Sequence, residues 1–180
     1  MTLPFSPVAT PAAGSSSGGE IVYAHQVPIP GPAANTVQVA KMCDAFQRAG
    51  VATKLVQPGA EAGTGARIAE YYGLPTVPKV VRGLAPDLPG RMLLFGLSSC
   101  LAHADRRRSV LYTRTISVAY AAVRLGYPLA LEMHGPLWGD KDHDTARFRR
   151  VIASRAFRGL VVISGSIGAW FEAEFPELRG

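Results

Sequence analysis

Sulfur is scarce in this chain: its only cysteines, Cys43 and Cys100, stand at no metal-like spacing. That excludes a thiolate metal cluster and a disulfide scaffold, and Cys43, on the apolar side of a predicted helix, reads as a small buried hydrophobe. Apolar runs are short, none approaching the roughly 20 residues that a membrane span requires. The first 19 residues (MTLPFSPVATPAAGSSSGG) lack both the basic start and the apolar core of a secretory signal. They read as a flexible leader, and the expected compartment is the cytoplasm. Several catalytic words are missing as well. The loop after the first predicted strand has one glycine where a G-x-G-x-x-G fingerprint has three, and it has no Gly-Lys-Ser/Thr of a phosphate-binding loop. No G-x-S-x-G elbow or Ser/His/Asp set is evident, which disfavours hydrolase chemistry. Aromatics make up 8% of the chain and form no stacking platform, so no nucleic-acid partner is expected. Asp140, Asp142, His143 and Asp144 match no strong metal motif, and acids gather at a helix N-terminus through its dipole anyway, so no metal is expected.

What is present is globular: 180 residues, 48% hydrophobic and 18% charged, enough for one domain with a substantial core. A net charge of +6 and a pI near 9.7 suit acidic surroundings such as a nucleotide or a phospholipid surface. Local concentrations occur at Arg106-Arg107-Arg108 and over Arg147, Arg149, Arg150, Arg155 and Arg158, where a solvated basic face is also a sufficient reading.

Strands and helices alternate after the leader. Strands are expected at 21–25, 51–56, 79–82, 109–113, 129–133 and 160–164. Helices are expected at 36–49, 66–72, 92–104, 116–125, 141–157 and 167–175. Asn35 or Thr36 is the expected cap of the first helix and Gly50 its stop. Strands this apolar, each followed by a helix, predict an α/β domain over 20–180: a single Rossmann-like parallel sheet with helices on both faces.

In such sheets ligands bind outside the carboxyl ends of the strands, which singles out 26–34, 113–115, 134–138 and 164–166. Gly31, Ala33, Ala34 and Asn35 form a proline-framed turn whose small side chains leave room for a ligand at the helix N-terminus. Arg114, expected in a first helical turn, works against the helix dipole by about 0.3–1 kcal/mol. A phosphate, a carboxylate or an interdomain contact should therefore use it. In Leu131-Glu132-Met133-His134-Gly135-Pro136, alternation points Glu132 and His134 to the same side of the strand. His134 can hydrogen-bond sugar hydroxyls or phosphate oxygens or carry a proton, and Glu132, deeper, orients the loop. Ser164 follows the last strand, where capping a helix and touching a ligand are both open to it.

The ordered set of words resembles the N-terminal domain of family 4 retaining glycosyltransferases. It comprises Pro32-Ala-Ala-Asn-Thr-Val-Gln-Val-Ala-Lys-Met-Cys-Asp-Ala-Phe46, Glu70-Tyr-Tyr-Gly-Leu74, Leu111-Tyr-Thr-Arg114, Gly126-Tyr-Pro128, Leu131-Glu-Met-His-Gly-Pro136 and Leu160-Val-Val-Ile-Ser164. The resemblance implies the N-terminal half of a GT-B arrangement, with no cofactor and no required metal. A nucleotide-sugar would be the donor and a sugar, lipid or small molecule the acceptor. It places His134 at the reaction centre and the 30–35 loop near donor phosphates or acceptor; Arg114, Glu132, Gly135 and Ser164 stand beside them as candidate substrate-binding residues. It also implies a C-terminal donor-binding half with a paired-glutamate motif, which these 180 residues do not contain. The expectation is therefore an incomplete or split enzyme, its donor half on a partner chain. The rival expectation is a non-catalytic docking module, peripheral to an acidic membrane face through its arginines.

Overall fold

Apolar alternation and glycine stops divide the chain into strand–helix pairs, and in the computed structural model these pairs close one sheet. Residues 19–84, 89–137 and 142–179 are described, with side chains omitted at 142 and 179. The leader before residue 19 lies outside them, as do Trp138 and Asp140. The elements are β1 (Glu20–Ala24), α1 (Ala34–Arg48), β2 (Ala52–Gln57), α2 (Thr64–Tyr72), β3 (Lys79–Arg82) and α3 (Arg91–His103). They continue with β4 (Ser109–Thr113), α4 (Ile116–Arg124), β5 (Leu129–Met133), α5 (Asp142–Ile152), β6 (Phe157–Val162) and α6 (Gly165–Glu174), then a 3-10 turn at Pro176–Arg179. All strand pairs are parallel, in the order β3-β2-β1-β4-β5-β6. The protein is thus an α/β domain with a Rossmann-like sheet.

Alternation sends successive strand side chains to two separate cores. Tyr23, Leu55 and Tyr112 face Val39, Ala40 and Cys43 of α1 and Ile68 of α2. Val22, Ala24, Val56, Leu111, Leu129 and Leu131 face the other way, toward Phe95 of α3, Val118 of α4, Phe148 of α5 and Phe171 of α6. Both cysteines are free and buried, and burial pushes each thiol up to about 12.

Helices α3 and α4 approach closely because Gly96 has no side chain. A Cβ there would stand 2.9 Å from both Ala121 Cβ and Val118 Cα. Gly96→Ala gains about 1 kcal/mol of helix propensity but forces a packed helix pair apart, at about 1–3 kcal/mol. The expected result is a net loss, seen as a lower urea midpoint with an unchanged m-value.

Three local expectations need correction. Helix α1 begins at Ala34, and its N-cap is Ala33, without any side-chain cap. The hydroxyl of Thr36 is committed elsewhere, donating to the carbonyls of Gly31 (2.7 Å) and Ala33 (2.6 Å). Arg114 precedes α4, whose N-cap is Thr115, so it does not oppose a helix dipole from within. The long helix expected to reach 157 stops at Ile152, because turns at Ser154 and Phe157 and the Leu129 amide bond to Ala156 O carry the chain into β6 early. Strand β6 consequently ends at Val162, two residues before the expected Ser164.

Candidate functional site

The strand order creates a crevice. The chain leaves β1 for α1 on one face and leaves the adjacent β4 for α4 on the other, so the loops diverge above the carboxyl ends of that pair.

A row of polar side chains crosses the sheet at this height. Ala24 pairs with Val56 and with Thr113, and Thr113 pairs with Leu131. One residue further along, the register aligns Gln57, His25, Arg114 and Glu132 on β2, β1, β4 and β5. Two-residue alternation puts them on the α1 face, one pleat beyond Tyr23 and Tyr112.

Glu132 is the hub, only 2% exposed. Its Oε2 accepts from the Tyr23 hydroxyl at 3.0 Å, and its Oε1 accepts from Gln38 Nε2 of α1 at 2.8 Å. His134 Nε2 also contacts Oε1, and Arg114 Nε lies 4.0 Å from the same oxygen. A buried carboxylate is tolerable only with such partners. Burial first, and then the Glu132 charge, pushes the Tyr23 hydroxyl far above its ordinary value, so it remains a donor. When Nε2–H donates to the carboxylate, Nδ1 is the ring nitrogen left to face a ligand, as an acceptor in the tautomer that carries its proton on Nε2. The His134 side chain is 24% exposed, so a ligand can reach it.

His25 extends the row. Its ring is buried, and among the described residues Nε2 meets no hydrogen-bond partner; the Tyr112 hydroxyl, also buried, forms no hydrogen bond of good geometry there, though the Glu132 carboxylate raises its pKa after burial does. Burial first, then the Arg114 charge, lowers the His25 pKa from 6.5 to about 4, with Glu132 opposing. The imidazole is therefore neutral at physiological pH.

Residues 26–35 form the rim of the crevice, and the protein holds them firmly. Gln57 clamps Ile29 from both sides, accepting from its amide (3.1 Å) and donating to its carbonyl (3.0 Å). The Tyr72 hydroxyl accepts from the Gly31 amide at 2.7 Å. Gly31 N–H is thus already used and is no anion donor. Ala33, Ala34 and Asn35 are exposed at the start of α1, and the amides of Ala34 and Asn35 have no acceptor among the described hydrogen bonds. Arg114 reaches this rim, donating to Asn35 O at 3.4 Å.

The structure therefore brings together Arg114, Glu132, His134 and the Ala34–Asn35 helix entrance. Gly135 follows in the bend beyond His134. Ser164 sits at the far edge, above β6, where its hydroxyl caps α6 by accepting from Ile167 N (3.4 Å) and pairs with Ser166 (3.0 Å). No described contact joins it to Glu132. Of the acidic run, Asp144 pairs with Arg147 and lies beside His143, both at 3.5 Å, and no metal-binding group of three exists among the described residues.

Sequence reasoning did not single out Tyr23, His25 or Gln38, and took Tyr112 only as part of the Leu111–Arg114 word. The strand-end rule that selected His134 would also have selected His25. Tyr23 and Tyr112 were visible as alternation partners one pleat earlier. Gln38 was not visible, since nothing in the helix marks which residue reaches β5.

The fold and site define an α/β domain with a carboxylate–histidine cluster at its topological switch point. Compared with family models, curated proteins and solved structures, the chain matches none.

Proposed function

We propose that this chain is the acceptor-side domain of a nucleotide-sugar-dependent glycosyltransferase. The observation that carries the reading is the Glu132–His134 pair above β5, oriented by Tyr23 and Gln38 and lying beside the exposed entrance of α1. A histidine whose Nε2 is fixed by a carboxylate offers one directed acceptor, Nδ1, suited to a sugar hydroxyl. Arg114 supplies positive charge next to it, suited to a phosphate of the donor. In the transfer, the bond from the anomeric carbon to the departing phosphate oxygen breaks. The bond to the acceptor oxygen forms on the same face of the sugar, and the acceptor proton leaves with the phosphate. His134 binds the transferred sugar, Glu132 holds the ring in register, and Ala34 and Asn35 amides face acceptor or phosphate oxygens. Stabilisation of the nucleotide would come from the donor-binding half of such an enzyme.

Supplying the full-length protein with a panel of nucleotide-sugars and acceptors should give sugar transfer. His134→Ala should lower kcat/KM by about 100-fold, in the range for loss of a positioned polar catalytic contact. Absence of transfer from every donor, with no effect of His134→Ala, would sink the reading. The alternative of a docking module on an acidic membrane is weakened by how its arginines are used. Arg147 bonds Ser117 (3.3 Å), Arg149 pairs with Glu177 (3.0 Å) and Arg150 bonds Tyr120 (3.5 Å). Salt-sensitive binding to anionic vesicles, with no binding of nucleotide-sugars, would restore that alternative. Among the described residues no helix is long and apolar enough to cross a membrane.

A further inference from the structure

A second feature of the same sheet edge bears on what the acceptor is. A cavity of about 490 Å3 opens between the loop after β1, the end of β2 and the start of α3. Its walls are Gln26, Val27, Pro28, Pro58, Arg91 and Met92. The size falls within the range of small-molecule sites. The lining has a definite chemistry. Two proline rings make rigid flat walls that lose no rotamer entropy on contact, and a methionine thioether is soft and favours aromatic ring edges. Val27 is 38% exposed, an apolar side chain presented to solvent at the mouth.

One wall of the cavity is tied to the loop that carries Arg114. Gln26 lines it and accepts a hydrogen bond from Thr115 at 3.0 Å. Thr115 follows Arg114, whose guanidinium stands next to Glu132. Within the sheet, β1 and β5 are two strand spacings, roughly 10 Å, apart.

We propose that this cavity is an acceptor subsite for an aromatic ring, so that the substrate class is a hydroxylated aromatic compound or an aryl glycoside. The ring lies between the prolines and Met92, and the hydroxyl to be glycosylated points across the switch point toward His134. This assignment rests on the sugar-transfer reading for its function, though not for its binding.

The test is titration of the 15N-labelled chain with p-nitrophenyl β-D-glucoside, methyl β-D-glucoside and p-nitrophenol, followed by amide shifts. The aryl glucoside should bind at least about tenfold more tightly than the methyl glucoside, a difference typical of filling one apolar pocket. It should shift the amides of Val27 and Met92. Val27→Asp and Met92→Asp, both at partly or fully exposed positions, should each remove that preference while leaving methyl glucoside affinity unchanged. Equal affinity for the two glucosides, or a preference that survives both substitutions, overturns the proposal. The two readings fail separately. If p-nitrophenol shifts Val27 and Met92 while no glucoside reaches His134, the aromatic subsite stands and sugar transfer falls. If methyl glucoside shifts His134 while p-nitrophenol leaves the cavity untouched, the subsite falls alone.

Discussion

Glu132→Ala should lower the unfolding free energy by about 3–5 kcal/mol, the loss typical when one member of a buried charged network is removed. The size follows from what the carboxylate holds. Tyr23 and Gln38 would each lose their acceptor in a buried setting, His134 would lose its anchor, and Arg114 its nearest counter-charge. For a domain of this size that corresponds to a fall in Tm of roughly 6–20 °C. Glu132→Gln should recover part of the loss, because its amide oxygen still accepts from one of the two donors. Transfer activity should not recover in parallel, since the amide cannot hold the His134 ring as the carboxylate does. Urea denaturation of the three proteins reads the first effect. A Glu132→Ala variant within 0.5 kcal/mol of the parent, the ordinary scatter of surface changes, would show that the network carries no weight.

Stability should also fall on mild acidification, and His25 sets the window. Its pKa is near 6.5 in the unfolded chain and about 4 in the folded one, lowered by burial first and by Arg114 second. Between those values the unfolded state binds the proton and the folded state does not, so unfolding is favoured as pH falls. The contribution is intact above about pH 6.5, declines through the interval, and is fully lost below about pH 4. With each pKa unit worth about 1.4 kcal/mol, the total is on the order of 3 kcal/mol. His25→Gln should flatten the stability profile across that window. Arg114→Ala should raise the folded-state pKa of His25 toward 6.5, so that the decline ends at a higher pH and the total loss is smaller, because one of the two causes of the low pKa is gone. An unchanged slope in His25→Gln would assign the acid sensitivity to other groups.

The sheet was legible because its evidence is local. Runs such as SVLYT and LALEM are apolar enough for a doubly covered strand, and Gly50, Gly73 and Gly126 each take the positive φ that stops a helix. The end of α5 was less legible, since Ala153 to Arg155 are compatible with a helix and only pairing of Phe157 with Leu129 pulls the chain out of it. Glu132 and His134 could be placed together because they lie two residues apart on one strand. Gln57 and Gln38 could not, since their roles depend on the tertiary register of β2 and α1. Gly31 illustrates the same limit: its place in a small-residue turn is visible in the sequence, while the use of its amide by Tyr72, from another helix, is not.

The bond between Tyr23 and Glu132 joins residues 109 apart in the chain. It requires β1 to have found β4, and β4 to have found β5, before either group has its partner. A chain emerging from the ribosome therefore has nothing resembling the site until its second half is made, however well its first helices have formed. Long-range parallel pairings of this kind close slowly, after local structure. Tyr23–Glu132 bonding thus dates the joining of β1, β4 and β5, and competence to bind should arrive abruptly with that pairing, not gradually with helix content.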